Sequence, residues 1–305
     1  MTRQLIALLG ATASGKTAAA VAIARRLPVE VVSADSRQLR CEMLIGTAAP
    51  TDSELAAVRH HLVGVVAPDA PWTLTDFLRR AREALAEIWE RGHTPLLVGG
   101  SGQYLWSLLE GRAVPAVPPN PALRARLETV ADEQGIGTVH ARLAKCDPAS
   151  ARRIDARNLR RVIRALEIVE ATGAPVPPES LTPPDFDWSA VGIAWPRETL
   201  YARADARVER MYEARLLDET RDLIDRYGRD FEALKSVGYA EAARVVAGEW
   251  EPTAAVERTK TETHRLIRQQ GAWFRADDDR IDWRDGSDLD GLVDTVVAAA
   301  RAPVG

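Results

Sequence analysis

The fold of this chain is decided near its amino end by the stretch Gly10-Ala11-Thr12-Ala13-Ser14-Gly15-Lys16-Thr17. An apolar run, Gln4–Leu9, precedes it, and an alanine-rich stretch, Ala18–Leu27, follows it. The octapeptide fits the pattern G-x-x-x-x-G-K-[ST], whose glycines let successive backbone N–H groups face one anion. Strand, loop and helix stand in the required order, so that the helix dipole adds to those N–H groups. The sequence predicts a di- or triphosphate site, with Lys16 supplying charge and Thr17 ligating Mg²⁺; the alternative is a glycine turn that caps a helix.

Composition bounds the class of protein. The 305 residues are 46% hydrophobic, enough for one large domain or two, and no apolar run approaches the about 18 residues of a membrane span. Met1-Thr2-Arg3 leads directly into the first apolar run. The two cysteines, Cys41 and Cys146, match no metal-ligand spacing, which favours packing roles in a reducing compartment. We expect a soluble, cytoplasmic monomer; its net charge of −4 gives no global attraction to nucleic acid, so such contacts need a local basic patch.

Short apolar runs alternate with helical patterns along most of the chain. The predicted strands after the first are Pro28–Ser33, His60–Val66, Thr94–Val98, Ala190–Trp195 and Arg280–Trp283. This order predicts an α/β fold, with a P-loop NTPase-like parallel sheet core flanked by helices and a helical insertion domain. Neighbouring residues in a strand point to opposite faces, so His60 and His61 are expected to be structural and not to share a metal.

Polar residues follow two of these predicted strands. Asp35 comes directly after the second strand and is expected to face the ligand crevice, because residues past the carboxyl end of a parallel strand line it. The run ending at Val98 leads into Gly99-Gly100-Ser101-Gly102, where many P-loop ATPases place a metal-holding aspartate. Its absence argues against an ATP-driven motor or switch. The glycines would let the backbone and Ser101 approach a flat ligand, or form an ordinary turn.

The alternation of strands and helices stops at a proline-rich segment. Prolines cluster at 115–121 and again at 175–184, and the pattern between residues 122 and 173 is helical. We predict a core formed by residues 1–112 and 188–305, interrupted by an insertion domain of residues 113–187. The insertion carries a cluster of positively charged residues, which favours a nucleic-acid phosphate backbone as partner over an ordinary solvated face. The cluster comprises Arg152, Arg153, Arg157, Arg160, Arg161 and Arg164.

The carboxyl-terminal part of the chain reads mostly as helices. Arg203 and Arg207 stand one turn apart on the first of them and could bind a diphosphate together, although a surface face is the alternative. The last long helix, Thr253–Phe274, is basic.

Taken together, these motifs resemble the bacterial tRNA dimethylallyltransferases, also called tRNA isopentenyltransferases. The resemblance spans nearly the whole chain in family order and rests on the phosphate loop and on Ser33–Gln38, Gly46-Thr47-Ala48, His60-His61-Leu62, Gly99–Gly102, Arg164–Glu167, Val237-Gly238-Tyr239, Gln270 and Trp273-Phe274.

The resemblance implies transfer of a dimethylallyl group from dimethylallyl diphosphate to N6 of the adenine next to the tRNA anticodon. By position, Gly10 to Thr17 would bind the diphosphate, Lys16 would neutralise charge, and Thr17 would hold Mg²⁺. Asp35 matches the general base, and Ser101 replaces a threonine that hydrogen-bonds the base. The residues implied to contact tRNA are Asp35, Ser36, Arg37, Gln38, Ser101, Arg124, Arg160, Arg161, Arg164, Arg268, Gln270, Trp273 and Arg275.

The chain departs from the family pattern at three places. Ala49 stands where the family has lysine in G-T-A-K-P, Arg268-Gln269-Gln270 replaces K-R-Q, and Leu39–Leu44 lacks the tyrosine-arginine-glycine run. These departures bear on RNA contact and leave the phosphate loop and Asp35 intact. Two other functions fit the sequence: a small-molecule kinase in which Asp35 activates a hydroxyl, and a non-catalytic RNA-binding protein.

Overall fold

The computed structural model describes residues 3–302, and these form one six-stranded sheet with all strands parallel. The spatial order of the strands is β3-β2-β4-β1-β5-β6. Their bounds are Gln4–Leu9 (β1), Val29–Ala34 (β2), His60–His61 (β3), Thr94–Gly99 (β4), Asp187–Ala194 (β5) and Ile281–Asp285 (β6). The predicted parallel α/β core is confirmed. Met1 and Thr2, from which we predicted a direct entry into the first strand, lie outside the described residues.

Helices connect and flank these strands. Their bounds are Lys16–Ala24 (α1), Asp52–Ala57 (α2), Leu74–Glu90 (α3), Gly102–Leu109 (α4), Pro121–Gln134 (α5), Ile136–Cys146 (α6), Pro148–Arg153 (α7), Leu159–Thr172 (α8), Arg197–Glu213 (α9), Leu216–Tyr227 (α10), Tyr239–Val246 (α11), Pro252–Gly271 (α12) and Leu289–Arg301 (α13). Helix α4 was not predicted, since its first residues were interpreted as part of a glycine turn.

The described chain divides into two compact units. The larger one comprises residues 3–111 and 183–302, and the smaller one comprises residues 112–182. The predicted insertion ends at residue 187, five residues beyond the smaller unit, because Pro183 and Pro184 belong to the second proline cluster. The chain past residue 182 instead packs on the core: Asp185 pairs with Arg3 at 2.7 Å, and Phe186 is buried with its ring 5.5 Å from that of Trp89.

The core of the larger unit lies between the central strands and helices α1 and α13. Residues Leu5 to Leu9 of β1 are inaccessible to solvent, as expected of a parallel strand covered on both faces. Ile23 of α1 and Val296 of α13 pack in the same cluster and are fully buried. The packing of these strands and helices fixes where the strands end, and therefore where the loops at their carboxyl ends lie.

Strand β3 is shorter than the predicted His60–Val66. Leu62 and Gly64 have φ values of 62° and 60°, in the left-handed region, which an extended strand cannot include. The structural interpretation of the histidines is confirmed. His61 Nε2 lies 2.7 Å from Glu30 Oε2, and His60 Nδ1 lies 2.8 Å from the Val58 carbonyl oxygen.

Glu30 is a buried carboxylate near the amino end of β2. Arg91 donates two hydrogen bonds to it, at 2.8 and 2.9 Å, and His93 Nδ1 lies 2.9 Å away. Burial opposes ionisation, but the hydrogen bonds from Arg91, His61 and His93 outweigh it and lower the pKa of Glu30 to about 2.

Glu30→Gln is expected to lower the free energy of unfolding by about 2 kcal/mol at pH 7, because Arg91 loses its carboxylate partner. Glu30 has a depressed pKa, so its contribution is complete above the usual value of 4.5 and is lost as the pH falls toward about 2. Urea unfolding at pH 7 and pH 3 measures this. If the variant and the wild type differ equally at both pH values, the ionised carboxylate is not the stabilising group.

Candidate active site

Three loops meet at the carboxyl edge of the sheet. Strands β2, β4 and β1 are consecutive neighbours, and they lead into Asp35–Gln38, Gly100-Ser101-Gly102 and the phosphate loop Gly10–Thr17 respectively. Such an edge is where parallel α/β sheets bind ligands. Two cavities open between the loops. The P-loop cavity, of about 630 Å³, is lined by Lys16 and Thr17, and the glycine-turn cavity, of about 280 Å³, is lined by Ser101 and Trp273.

The two cavities adjoin. The residues that line both of them are Thr12, Asp35, Thr47, Arg207 and Gln270. Asp35 is the only carboxylate among these shared residues. The structure thus brings the predicted base to the boundary between a cation-lined cavity and a cavity walled by glycines and aromatic rings.

The phosphate loop has the backbone shape of an anion cradle. Gly15 has φ 99° and precedes α1, and Ala13 has φ 64°, a conformation that costs a non-glycine residue about 1 kcal/mol. Lys16 Nζ donates to the carbonyl oxygens of Gly10 and Ala11 at 3.0 and 2.8 Å. Burial lowers the pKa of Lys16 to about 8, with Asp35 opposing and Arg207 adding to the shift.

Both arginines predicted to bind diphosphate line the P-loop cavity. Arg203 Nε donates to the Ala13 carbonyl oxygen at 3.0 Å, and Arg207 donates to the Thr12 hydroxyl. Arg207 Nε is buried and has no hydrogen-bond partner among residues 3–302. Burial lowers the pKa of Arg207 to about 10, although Asp35 opposes the shift. Four cationic side chains line this cavity, Lys16, Arg203, Arg207 and Arg210, against two carboxylates, Asp35 and Glu54. The excess of positive charge suits an anionic ligand.

Asp35 is held by backbone groups of its own loop. Its Oδ1 accepts hydrogen bonds from Arg37 N at 2.8 Å and Gln38 N at 3.3 Å. No residue in the described range donates to Oδ2. One oxygen therefore orients the carboxylate, and the other can accept a proton.

Ser101 connects the glycine turn to the Asp35 loop. Its Oγ accepts a hydrogen bond from Ser36 N at 3.0 Å, and its N–H donates to the Ala34 carbonyl oxygen at 3.2 Å. Gly99 makes this approach possible, because a Cβ there would lie 2.2 Å from that oxygen. Ser101 also lines the glycine-turn cavity, and its predicted hydrogen bond to a base stays a prediction.

Gln270 and Trp273 lie at the same turn. Gln270 Oε1 accepts from Thr12 N at 2.8 Å, and its Nε2 donates to the Gly100 carbonyl oxygen at 3.0 Å. A Cβ on Gly102 would lie 2.3 Å from the Trp273 side chain. Gln270 therefore bridges the phosphate loop and the glycine turn, and Trp273 lines the glycine-turn cavity.

Sequence reasoning missed the residues that place the Gly46-Thr47-Ala48 segment. Glu219 accepts from the backbone N–H groups of Leu44 at 3.0 Å and Ile45 at 3.0 Å, and from the Tyr239 hydroxyl. Gly46 is required because a Cβ there would lie 2.5 Å from the Tyr239 ring. The V-G-Y motif marked Tyr239, but no local pattern distinguishes Glu219 from an exposed helical glutamate.

Within the smaller unit, the predicted tRNA-binding arginines fall into two groups. Arg124 and Arg164 donate hydrogen bonds to the fully buried carboxylate of Glu167. The shortest is 2.7 Å from Arg124 and 3.3 Å from Arg164. Burial opposes ionisation of Glu167, but hydrogen bonds led by that of Arg124 lower its pKa. Arg160 and Arg161 are exposed at the start of α8. Arg124 and Arg164 are therefore part of the internal structure of this unit, whereas Arg161 presents its charge to solvent.

The remaining predicted tRNA contacts lie in the larger unit. Arg37 lines the glycine-turn cavity, and burial lowers its pKa. Gln38 lines the P-loop cavity and donates to the Ala48 carbonyl oxygen at 2.9 Å. Arg268 donates to the Tyr201 hydroxyl at 3.2 Å, and Arg275 is paired with Asp277 at 2.7 Å. Of this group, the structure places Arg37 and Gln38 in the cavities beside Asp35.

Known proteins match the chain along most of its length. The model of the IPP transferase family matches residues 38–277, and that of the isopentenyl transferase family matches residues 3–64. A tRNA dimethylallyltransferase of Chloroflexus aggregans is 46% identical over 92% of this chain and 98% of its own. Another, of Dehalococcoides mccartyi, is 40% identical over 92% of this chain and 86% of its own.

Solved structures show the same fold. The full-length tRNA isopentenylpyrophosphate transferase of Bacillus halodurans is 32% identical, with a TM-score of 0.71 over 98% of this chain and 96% of that one. A eukaryotic dimethylallyltransferase solved acting on tRNA has a TM-score of 0.81 over 99% of this chain and 81% of that one, and at 22% identity it supports the fold alone. In residues 3–302 no helix is both long and apolar enough to cross a membrane. The chain belongs to the IPP transferase family, which includes the tRNA dimethylallyltransferases.

Proposed function

We propose that this protein transfers a dimethylallyl group from dimethylallyl diphosphate to N6 of the adenine next to the anticodon of tRNA and releases diphosphate. The observation that carries the proposal is the position of Asp35, on the boundary between the P-loop cavity and the glycine-turn cavity. The first cavity has the cations that a diphosphate needs, and the second has the flat walls that suit a purine.

Asp35 would act as the general base. The amino group of adenine is a poor nucleophile because its lone pair is delocalised into the ring. As N6 forms its bond to C1 of the dimethylallyl group, Asp35 Oδ2 accepts the N6 proton. The backbone hydrogen bonds from Arg37 N and Gln38 N hold Oδ1 and so fix the direction in which Oδ2 points.

The P-loop cavity would stabilise the leaving group. The C1–O bond breaks with its electron pair going to the diphosphate, whose negative charge then rises. Lys16 and Arg207 line the cavity with the loop. They would stabilise that charge without a large rearrangement, which is the condition for effective electrostatic stabilisation. Arg207 Nε, which has no hydrogen-bond partner among residues 3–302, would donate to a phosphate oxygen.

A divalent metal ion, for which we propose Mg²⁺, fits the donor set of this cavity. Thr17 lines the cavity, and its hydroxyl makes no hydrogen bond to another described residue. No group of three or more His, Cys, Asp or Glu side chains in residues 3–302 could hold a metal. This suits Mg²⁺, which protein sites usually hold with few side chains plus substrate phosphates and water. Bound at Thr17, the ion would neutralise part of the diphosphate charge.

The smaller unit would contact the tRNA backbone through its exposed arginines. The family includes tRNA-modifying enzymes, and the smaller unit presents Arg161 on its surface while Glu167 holds Arg124 and Arg164. The monomeric state and the cytoplasmic location are part of this proposal.

Arg161→Ala is expected to weaken tRNA binding and to lower the slope of log affinity against log salt by about 1, because one phosphate contact is lost. Filter binding at several salt concentrations measures this. Arg126→Ala is the matched control, since Arg126 is an exposed arginine of the same unit that pairs with Glu170. If Arg161→Ala lost as much affinity for diphosphate as for tRNA, the proposal that the smaller unit contacts tRNA would be contradicted.

Labelled dimethylallyl diphosphate and unmodified tRNA test the function directly. The proposal predicts label on N6 of the adenine next to the anticodon and one diphosphate released per label. Turnover of ATP with a metabolite and no prenyl incorporation would support a small-molecule kinase instead. Binding of tRNA without either reaction would support a non-catalytic RNA-binding protein.

A further inference from the structure

Trp195, the residue after β5, contacts the outside of the phosphate loop. Its indole Nε1 donates to the Ser14 carbonyl oxygen at 2.9 Å. The Arg203 guanidinium lies 4.4 Å from the centre of its ring, and Arg203 Nε donates to the Ala13 carbonyl oxygen at 3.0 Å. A Cβ on Gly286 would lie 2.1 Å from Trp195 Nε1, so the chain leaves room for the indole at this place.

The hydrogen bond from Trp195 sets the orientation of one peptide group. No peptide bond between described residues is cis, and in a trans peptide the carbonyl and the N–H point in opposite directions. Fixing the Ser14 carbonyl toward Trp195 therefore directs the Gly15 N–H away from Trp195. Gly15 lines the P-loop cavity, and its N–H has no acceptor in residues 3–302.

We infer that Trp195 is a positioning residue for the diphosphate, which acts by holding the Ser14–Gly15 peptide so that the Gly15 N–H faces the P-loop cavity. Arg203 completes the arrangement, because the ring under its guanidinium holds it against the loop. The neighbouring Ala13 is in the left-handed region, so the loop needs such outside contacts to keep this shape. The inference rests on the proposed diphosphate site.

The chain contains a matched control. Trp89 Nε1 donates to the Gln4 carbonyl oxygen at 3.0 Å, and the Arg3 guanidinium lies 5.5 Å from the centre of its ring. The chemistry is the same as at Trp195, but the bond is made at the amino end of β1, away from the phosphate loop. Trp195→Phe and Trp89→Phe each keep a ring and remove one indole N–H donor.

Calorimetric binding of inorganic diphosphate to the full chain tests the inference. We expect Trp195→Phe to raise the Kd for diphosphate about fivefold, the effect of one lost hydrogen bond, and Trp89→Phe to leave it unchanged. The KM for dimethylallyl diphosphate should rise by the same factor in Trp195→Phe, with the KM for tRNA unchanged. Thermal unfolding should show similar, small losses of stability in both variants.

Two results would overturn the inference: wild-type diphosphate affinity in Trp195→Phe, or an equal loss in Trp89→Phe. The binding assay needs no transfer reaction. A wild-type protein that binds diphosphate but labels no tRNA would contradict the proposed function and leave the role of Trp195 standing. A wild-type protein that binds no diphosphate would overturn both.

Discussion

Asp35→Asn is expected to lower the rate of dimethylallyl transfer by about 10²- to 10⁴-fold, the usual contribution of a general base. The amide oxygen of asparagine can still accept the hydrogen bonds from Arg37 N and Gln38 N that Asp35 Oδ1 accepts, so the loop should keep its shape. The amide has no basic oxygen for the proton of N6. Single-turnover transfer with saturating tRNA and donor measures the chemical step.

Binding assays separate this loss from a misfolded site. The affinities of Asp35→Asn for tRNA and for diphosphate should stay within about threefold of the wild type. Asp225→Asn, an exposed change of the same charge on α10, controls for net charge and should transfer at the wild-type rate. Retention of more than a tenth of the activity by Asp35→Asn would remove Asp35 from the mechanism.

Lys16→Met is expected to lower kcat/KM for the donor by about 10²- to 10³-fold. The variant loses the preorganised positive charge that stabilises the diphosphate leaving group. The wild type should also show a pH signature. Because the pKa of Lys16 is lowered to about 8, the free protein loses this positive charge above that pH, and binding must then take up a proton. Diphosphate affinity should fall as the pH rises through about 8, approaching about tenfold per pH unit.

Diphosphate titrations between pH 7 and pH 9.5 measure this dependence. In Lys16→Met the affinity should be low and nearly flat across that range. If the variant keeps the wild-type pH profile, another group is responsible for the proton uptake, and Lys16 is not the charge that meets the diphosphate.

The local order of motifs was sufficient to predict which residues lie together at the strand ends. A glycine loop between strand and helix, and Asp35 after the next strand, have fixed places in a parallel sheet, and the structure brings both to one edge. The contacts that hold these loops were not predictable in the same way. Gln270 bridges to Thr12 across 258 residues of chain, and Trp195 reaches Ser14 across 181. Such pairs leave no periodic signal in the sequence.

The arginines of the smaller unit illustrate the same limit. A run of arginines in the sequence indicates a basic surface, but only the fold shows that Glu167 is buried beneath Arg124 and Arg164. The proline clusters predicted the insertion, yet they could not show that the chain past residue 182 packs on Arg3 and Trp89. Burial depends on partners far along the chain, so charge and turn residues alone do not locate it.

The central claim is that Asp35 lies between the two substrates. The most direct test is a crystal structure of the protein bound to an anticodon stem-loop and to a non-reactive thiodiphosphate analogue of the donor. We predict the diphosphate on the loop Gly10–Thr17, the adenine against Trp273 and Gly100-Ser101-Gly102, and Asp35 Oδ2 within about 3.2 Å of N6. A complex in which the Asp35 carboxylate is turned away from N6, or in which the purine binds outside the glycine-turn cavity, would contradict the account.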